Sequence, residues 1–443
     1  MEGGVLNQRG IQRGGQNHCS QYSQWSVYLM DGTASRSAST LNWADELSIA
    51  IDQRFERMCE VRRHLHQNPE PSGHETQTTR YLASLLASEN LEPKIVGGGR
   101  GLWVESNGSV QPRIGIRADI DALWIQDEKT VDYRSRKEGL MHACGHDAHS
   151  AIVFGAITTL AELDRLGKLP WPVVCRAIFQ PAEETNQGAI EMIKAGALVG
   201  LTDLLGVHMD PSRKVGTIGV RHGDFTADCH EVTIEIHGHG AHAARPHEAV
   251  DPIAIAAQLI TSIYLFVPRS TDSQDAVVVT FGKIHGGHAS NVIPDHVILS
   301  GTMRTLDSEV SARTIQHIAR LASGLASASG ARIDIQWHSG PPPVKNDASL
   351  VNLLAEAGRV VVGATGVHPI RRPSMGGEDF ANYLSHVRGA MFRLGSAPSD
   401  EAAPLLHNPL FDIDERSLRI GAQILAHAIV RWCDPKDTHC MAP

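Results

Sequence analysis

Apolar residues recur at steps of three and four along several stretches of the chain, the spacing that places them on one face of an α-helix. Near the start, such positions predict one amphipathic helix, which the Asn68-Pro69 pair ends. These positions are Leu47, Ile51, Phe55, Met58 and Leu65. The same spacing predicts a second helix over residues 76–91 and further helices over 148–166 and 188–198.

Short apolar runs typical of buried strands lie between these helices, at residues 113–117, 173–179 and 204–207. Strands that alternate with helices predict an α/β fold, in which a mostly parallel sheet is flanked by helices on both faces. Each run is followed directly by polar side chains: Asp119 with Asp121, Glu183 with Glu184, and His208. Because ligands bind beyond the carboxyl ends of parallel strands, these side chains are expected to meet along one edge of the sheet.

The pattern changes from about residue 224. Strand-like alternation of apolar residues is followed by a helix that Asp251 and Pro252 begin, then by two strands, a second helix and a last strand. This order of elements is the ferredoxin-like α+β plan. Three consecutive prolines, residues 341–343, mark the end of the stretch.

A chain of 443 residues is too long for one ordinary core, so two domains are expected. We predict that 42–223 and 341–443 form the two parts of a catalytic domain, with 224–340 as an inserted domain. Residues 1–41 are rich in Gly, Gln, Ser and Arg and show no hydrophobic period. That composition predicts a disordered N-terminal extension.

Charge and cysteine usage narrow the class of protein. The net charge of −9 argues against nucleic acid or an anionic membrane as the main partner. No apolar run in the sequence reaches the length that crosses a bilayer. The seven cysteines are odd in number and have no framework spacing, which favours reduced thiols and a cytoplasmic location.

Residues 141–149 offer a thiol, three imidazoles and a carboxylate within nine positions. Taken singly, a cysteine is usually a small buried hydrophobe and a histidine a hydrogen-bonded core or surface group. Together they are hard to explain as packing. Asp147 is predicted to cap the helix that follows, and Gly145 to let the backbone bend so that Cys144 and His146 converge. This arrangement indicates a metal site.

Glu183 and Glu184 are adjacent carboxylates, which are usually a solvated surface. Here they follow a buried-looking strand and a proline, where two like charges repel unless a cation or a shared proton relieves them. Neighbouring residues point in different directions. One carboxylate is therefore able to bind metal while the other faces a water molecule, as a hydrolase requires.

Five motifs together resemble the metal-dependent amidohydrolases that include hippurate hydrolases, auxin-conjugate hydrolases and bacterial aminoacylases and carboxypeptidases. They are HACGHD at 142–147, FQPAEE at 179–184, GVH at 206–208, NVIPD at 291–295 and SMGGEDF at 374–380. The likeness runs in order from about residue 62 to about residue 432. It implies a zinc-exopeptidase-like fold and a centre of two divalent ions, Mn²⁺ or Zn²⁺, with Co²⁺ or Ni²⁺ as further choices.

The resemblance also implies the roles of individual residues. The metal ligands would be Cys144, His146, Glu184, His208 and His407, with the Cys144 thiolate bridging the ions. Glu183 would be the general base, and Asp119 would orient a metal-bound histidine. His407 lies in a late LHNP segment, so only the family motif points to it. Arg117 stands where more distant relatives carry a histidine ligand.

In the inserted domain, the resemblance assigns His242 to polarise the scissile carbonyl of a neighbouring active site. Asn291 and Arg304 would hold the carboxylate of the substrate, for which the planar fork of arginine is suited. The insert is also the dimerisation module of the family, so a homodimer is expected. Glu378 and Asp379 follow two glycines, and they either support the metal ligands or cap a helix; the cap is the simpler prediction for Asp379.

The function that the sequence favours is metal-dependent hydrolysis of the amide bond of small N-acyl amino acids, either hippurate-like or N-acetyl and aryl-acyl conjugates. Within the family, a dipeptidase, a carboxypeptidase or an N-acetyl-diaminopimelate-type deacetylase is the alternative. Outside it, Cys144 is a candidate nucleophile of a thiol hydrolase, with His146 or His149 as base. A non-catalytic metal-binding protein is disfavoured because a structural site needs at most one of Glu183 and Glu184.

Overall fold

The computed structural model describes residues 42–107, 111–398 and 403–436. The predicted disordered extension at 1–41 lies outside them. The α-helices within these residues are α1 (Trp43–Gln53), α2 (Phe55–Gln67), α3 (Thr76–Ser88), α4 (His146–Arg165), α5 (Gly188–Lys194), α6 (Pro252–Ser270), α7 (Ser308–Ser329), α8 (Ala348–Val362) and α9 (Arg416–Trp432). Short 3₁₀ helices cover Pro246–Glu248, Ala364–Gly366 and Asp379–Ser385.

The strands within the same residues are β1 (Lys94–Ile95), β2 (Leu102–Glu105), β3 (Ile114–Asp119), β4 (Cys175–Gln180), β5 (Asp203–Lys214), β6 (Ile218–Val220), β7 (Gly223–Asp224), β8 (Asp228–His237), β9 (Ala241–His242), β10 (Val277–Gly286), β11 (Val292–Ile293), β12 (His296–Thr305), β13 (Arg332–Ser339), β14 (Lys345–Asn346), β15 (Val367–Pro369) and β16 (Arg388–Ala397). They form two principal sheets, one of eight strands and one of four.

The larger sheet has the order β1-β2-β4-β3-β5-β16-β6-β15. Its central strands β4, β3, β5 and β16 run parallel to one another. Antiparallel pairing occurs where β1 meets β2, where β2 meets β4, and where β16 meets β6. Every residue of β3 and β4 is buried, as expected for parallel strands covered on both faces. The predicted α/β fold with a mostly parallel sheet is confirmed.

Helices cover both faces of this sheet. One hydrophobic cluster combines α2, α4 and α9 with one face, and it includes Met58, Ile152 and Leu425. A second cluster covers the other face with α5 and the 3₁₀ helix Asp379–Ser385, through Met192 and Phe380. Because both faces are filled by apolar side chains, the polar residues of the central strands are left to collect at the strand ends.

The four-stranded sheet has the order β10-β12-β8-β13, and every neighbouring pair is antiparallel. Residues of α6 and α7 complete its own hydrophobic cluster. Numbered along the chain and starting from β13, the strand order is 4-1-3-2, which is the predicted ferredoxin-like plan. Asp251 caps α6 by accepting the N–H of Ile253, as expected. The domain boundaries at 223/224 and 340/341 stay predictions.

Several element bounds differ from those predicted, including that of α5, which ends at Lys194 rather than near residue 198. The first helix is in fact two, because the backbone leaves helical geometry at Arg54, whose guanidinium bonds to Glu162 on α4. The helix α3 ends at Ser88 rather than near residue 91, since Asn90 has a positive φ of 64°. The third strand does not end at His208 but continues to Lys214, because β16 pairs with it along that length. Such pairings join residues far apart in sequence, so local periodicity does not report them.

Among the described residues, α6 is long and apolar enough to span a membrane by length and composition, contrary to the expectation from sequence. The core helix of a soluble protein passes the same test. One face of α6 packs against the four-stranded sheet through Ile255, Leu259 and Ile263. One face of α6 therefore belongs to that hydrophobic cluster.

Candidate metal centre

The predicted metal ligands meet at the carboxyl ends of the parallel strands. Cys144 lies in the loop before α4, His146 begins α4, Glu184 follows β4, and His208 lies within β5. His407 comes from a separate loop, which is joined to the first by a hydrogen bond from its backbone N–H to the carbonyl of Ala143, 2.8 Å long. Five side chains from four separate segments thus reach one place.

Gly145 makes the bend between Cys144 and His146, as predicted, with a φ of +89°. A Cβ at this position would lie 2.9 Å from Cγ of Met209, so both the backbone conformation and the space favour glycine. The predicted capping role of Asp147 is wrong, because Gly145 occupies the N-cap position and Asp147 lies in the first turn. Its buried carboxylate instead accepts from Nε of Arg62 at 3.0 Å and lies 2.7 Å from Nδ1 of His66.

The distances between the predicted ligands form a chain. Sγ of Cys144 lies 3.6 Å from Nε2 of His208. Oε1 of Glu184 lies 3.8 Å from Nε2 of His146 and 3.5 Å from Nε2 of His407. The donor atoms of Cys144, His146 and Glu184 all lie within 4.8 Å of one another. These separations are longer than hydrogen bonds between charged groups and leave room for cations among the donors.

The residues present fit a metal ion. Nε2 of His146 and Oε1 of Glu184 are buried, and neither has a hydrogen-bond partner among the described residues. Leaving a buried polar atom unpaired is costly, so a ligand in contact with both would relieve it. Nδ1 of His208 lies 2.8 Å from the carbonyl of Met209. That contact fixes Nδ1 as the donor and directs the lone pair of Nε2 into the centre.

Asp121 orients His146, a role that the family resemblance had predicted for Asp119. Nδ1 of His146 lies 3.0 Å from the carbonyl oxygen of Asp121 and 3.1 Å from its carboxylate. The other carboxylate oxygen accepts from the backbone N–H of Glu184 at 3.0 Å. Asp121 therefore orients one proposed ligand and positions the segment that carries another.

Asp119 mainly contacts a different histidine. Its Oδ1 lies 2.6 Å from Nδ1 of His149, and its Oδ2 accepts from Arg117 at 2.6 Å. Nε2 of His149 accepts the N–H of Met209 at 2.9 Å, so both nitrogens of this ring are already engaged. His149 is thus unsuited to bind metal, even though it lies close to Asp119 and His146. From sequence, His149 was a candidate base of a thiol hydrolase and Asp121 a polar residue at a strand end, but the contacts of neither were predicted.

Arg117 occupies the buried space beside this centre and neutralises carboxylates. It is 3.1 Å from Glu378 and 2.8 Å from Asp379. The cap that was predicted at Asp379 is made by Glu378, which accepts the N–H of Phe380. Asp379 is buried and bonds to Gln180 and Arg117 instead. The prediction chose the wrong one of two adjacent carboxylates because both follow the glycines.

Glu183 lies next to the ligand atoms without being one of the Cys144, His146 and Glu184 group. One carboxylate oxygen is 3.9 Å from Nε2 of His146, and the other accepts the N–H of Asp379 at 3.4 Å. Burial, then the neighbouring carboxylates of Glu378 and Glu184, raises the pKa of Glu183 well above its usual value. Burial likewise raises the pKa of the Cys144 thiol, so its thiolate requires a compensating positive charge.

The centre opens into a cavity of about 620 Å³. Arg304, predicted to hold the substrate carboxylate, lines it and donates to the carbonyl of Met375 at 2.8 Å. His242 and Asn291 lie together near the pairing of β9 with β11, where the carbonyl of Asn291 accepts from Ala243. Neither His242 nor Asn291 is among the described residues that line this cavity.

The chain belongs to Peptidase family M20/M25/M40, whose sequence model matches residues 115–431. It is therefore a metal-dependent hydrolase that acts on amide bonds. The recognition of metal-dependent amidohydrolases from the motifs is confirmed.

Individual relatives agree with this assignment. The probable hydrolase sll0100 of Synechocystis sp. is 41% identical over 386 residues, which cover 86% of this chain and 97% of that protein. The N-acetyl-L-cysteine deacetylase of Bacillus subtilis is 37% identical over 380 residues, covering 85% and 88%. The crystal structure of Bacillus subtilis YXEP, a dinuclear metal binding peptidase of the M20 family, matches with a TM-score of 0.72 and 33% identity, covering 86% and 98%. Together with the ligand groups above, it supports a centre of two divalent ions.

Proposed function

We propose that the protein hydrolyses the amide bond of small N-acyl amino acids, with Glu183 as the general base. Cys144, His146, Glu184, His208 and His407 are the proposed metal ligands. The observation that carries this proposal is the position of Glu183, a buried carboxylate beside a set of thiol, imidazole and carboxylate donors, yet separate from the Cys144, His146 and Glu184 group. A purely structural site has no use for such a group.

When bound, two divalent cations would lower the pKa of a water molecule and draw electron density from the scissile carbonyl. Glu183 accepts a proton from this water as the water oxygen attacks the carbonyl carbon. Glu183 then donates the proton to the amide nitrogen as the carbon–nitrogen bond breaks. The products are a carboxylic acid and a free amino acid, so atoms and protons balance.

The chemistry of the donor set supports Mn²⁺ or Zn²⁺ as the ions, with Co²⁺ or Ni²⁺ as alternatives, because one thiol, imidazoles and a carboxylate suit all four. Asp121 holds the proposed ligand His146 in orientation, and Asp119 holds the neighbouring His149. We assign both of them to positioning.

The substrate is small, because the cavity of about 620 Å³ is of the size that encloses a compact ligand.

A homodimer through residues 224–340 completes the site in this proposal. His242 from a second copy of the chain polarises the scissile carbonyl, and Asn291 with Arg304 holds the substrate carboxylate. Two features of the insert support an interface. The strand β10 is at the edge of its sheet, and apolar side chains are exposed on α6 and β10, among them Leu265, Phe266 and Ile284.

A thiol hydrolase with Cys144 as nucleophile is the competing function. Burial raises the pKa of this thiol well above its usual value, which leaves little thiolate to attack a substrate without a metal. The thiols of Cys59, Cys144, Cys175 and Cys229 are free, which agrees with a reducing compartment and with the proposed cytoplasmic location.

The test is a panel of N-acetyl, N-benzoyl and indole-acetyl amino acids, together with dipeptides, assayed with each added metal and after chelation. Glu183→Gln should bind two equivalents of metal and lose about a thousandfold of turnover, since glutamine cannot accept the proton of the attacking water. Glu92→Gln, at an exposed position, is the matched control and should keep wild-type rates. Near-normal turnover by Glu183→Gln would contradict the assignment of the base. Chelator-resistant activity that alkylation abolishes would favour the thiol hydrolase.

A further inference from the structure

A second cavity of about 310 Å³ adjoins the main one. The two share Ser374, Arg393 and Leu406 in their linings. We call this second cavity the side pocket. Its apolar wall includes Met209 and Phe225, both of which are buried. The two cavities are therefore neighbours, and Arg393 belongs to the lining of both.

The side pocket is rich in positive charge. Arg213, Arg372 and Arg393 line it, and Asp210 is the carboxylate among its described lining residues. Asp210 is already engaged, because it accepts from Nε of Arg213 at 2.9 Å and from the hydroxyl of Ser212 at 2.5 Å. Arg213 is therefore paired within the protein, whereas Arg372 and Arg393 have no ion pair within the residues that the structure describes.

Arg393 lies near the carboxylates of Asp210 and Glu378, whose charges act on it, but it forms an ion pair with neither of them. It is partly buried, and its guanidinium lies over the ring of Phe225, 5.2 Å from the centroid. Within residues 42–107, 111–398 and 403–436 its guanidinium makes no hydrogen bond or ion pair. A guanidinium has five N–H donors in a planar fork that matches a carboxylate, and holding such a charge away from water without an anion is unfavourable. An anionic ligand would satisfy it.

Arg393 lies on the strand next to the one that carries a proposed metal ligand. Arg393 on β16 is the register partner of His208 on β5. Arg304 is on a different element, β12, and bonds to Met375. A substrate in the main cavity therefore has two guanidinium groups beside it, that of Arg304 on β12 and that of Arg393 on β16. In the proposed function, Arg304 binds the carboxylate of the amino acid. Arg393 is left without an assigned ligand.

We propose that the side pocket binds a second carboxylate of the substrate through Arg393, assisted by Arg372, so that the preferred substrates are N-acyl amino acids with two carboxylates. This rests on the proposed function. The second carboxylate has two possible sources, the far end of a dicarboxylic acyl group or the side chain of an acidic amino acid. Both present the same chemistry to the guanidinium: a short apolar stem ending in an anion.

The experiment compares each dianionic substrate with its neutral isostere. N-succinyl-L-alanine is set against the corresponding succinamoyl compound, and N-acetyl-L-glutamate against N-acetyl-L-glutamine, by kcat/KM in the wild-type protein with metal. At least one pair should favour the dianion by roughly tenfold or more, as expected for a charge-assisted bidentate contact. The pair that does so identifies the source of the carboxylate.

Two variants and a control assign the preference to the side pocket. Arg393→Gln should bring the ratio within the preferred pair close to one, and Arg372→Gln should lower it partly. Because each variant is scored by the ratio of kcat/KM for the two substrates of a pair, any general effect of the substitution on the metal centre cancels. Arg371→Gln is the control, because Arg371 is exposed and is not among the described residues that line either cavity. It should keep the wild-type ratio.

The outcomes separate this inference from the proposed function. If N-acetyl-L-alanine and the other substrates are all left intact with every metal, the proposed function itself fails. If they are hydrolysed but neither pair favours the dianion, the side pocket does not bind a carboxylate. A preference that both arginine variants retain would likewise overturn the role of this pocket.

Discussion

The carboxylate of Asp121 lies 3.1 Å from Nδ1 of His146. With its own backbone carbonyl at 3.0 Å, Asp121 surrounds this nitrogen with acceptors, so the ring proton sits on Nδ1 and Nε2 is left to bind. The same carboxylate also accepts from Ser72 and from the backbone of Glu184. One residue thus couples the orientation of two proposed ligands.

Asp121→Ala should therefore weaken metal binding by about 10–100-fold, the range typical of groups that orient metal ligands. Competition with a chromogenic chelator measures the affinity, and turnover at saturating metal should recover in part. Asp52→Ala, at an exposed position on α1, serves as the control. Unchanged affinity in Asp121→Ala would show that His146 does not depend on this contact.

Mixing two inactive variants tests whether active sites are shared between subunits. Glu183→Gln and His242→Ala should each be inactive alone. After exchange of subunits, half of the dimers are mixed and each mixed dimer has one intact site of two, so about a quarter of wild-type activity should return. Mixing His242→Ala with a chain that carries both changes restores no site and is the control. Recovery that fails in the first mixture, with dimers present, would contradict a shared site.

The buried Arg62 is predicted to be important for stability. Its guanidinium is fully buried and bonds to Asp147, Asp412 and Glu415. Arg62→Met leaves Asp147 buried without its cation, which typically costs about 3–5 kcal/mol of unfolding free energy. Arg63→Met is a matched control, because Arg63 is half exposed and pairs with Glu415, an arrangement worth about 1 kcal/mol or less. Urea denaturation monitored by circular dichroism distinguishes the two. Equal losses would mean that burial of the ion pair is not what matters.

His427 should make stability depend on pH. Burial, with a smaller effect from Arg431, lowers the pKa of His427 from 6.5 to about 4 in the folded state. Because the folded pKa is lower than the unfolded one, the contribution is complete above pH 6.5 and is lost as pH falls toward 4. His427→Leu should reduce the loss of unfolding free energy between pH 7 and pH 4.5 by about 2 kcal/mol.

The control for this prediction is His386→Leu, at an exposed position, which should keep the wild-type pH profile. Urea midpoints measured at several pH values give the comparison. If His427→Leu and the wild-type protein lose stability in parallel on acidification, protonation of this ring is not the cause.

Much of the fold was predictable because it depends on local patterns. The run 113–117 predicted β3, the stretch 148–166 predicted α4, and the strand order of the insert followed from its alternating elements. The break between α1 and α2 at Arg54 was not predicted, because the apolar spacing continues through it. Asp147 was misassigned for a different reason. Its sequence position suits a cap, but Arg62 and His66 from α2 draw it into the interior.

Site residues were predictable where they lie in a recognisable motif. Cys144, His146 and Glu184 stand in short segments whose residue types already indicate metal, and the structure brings their donor atoms together. His407 rested on the family motif, since its loop has no local signal. Asp121 was visible as a polar residue after β3 but had no assigned contact, because hydrogen-bond partners are fixed only when strand ends meet.

The order of residue types by itself determined the layered α/β architecture, the inserted ferredoxin-like plan and the donors for a metal, because hydrophobic period and residue chemistry are properties of neighbouring positions. Tertiary structure decided which carboxylate orients which histidine, and it placed Arg393 beside the centre with no ion pair among the described residues. Those outcomes depend on the pairing of strands such as β5 and β16, whose residues are nearly two hundred positions apart, and no local pattern encodes such a distance.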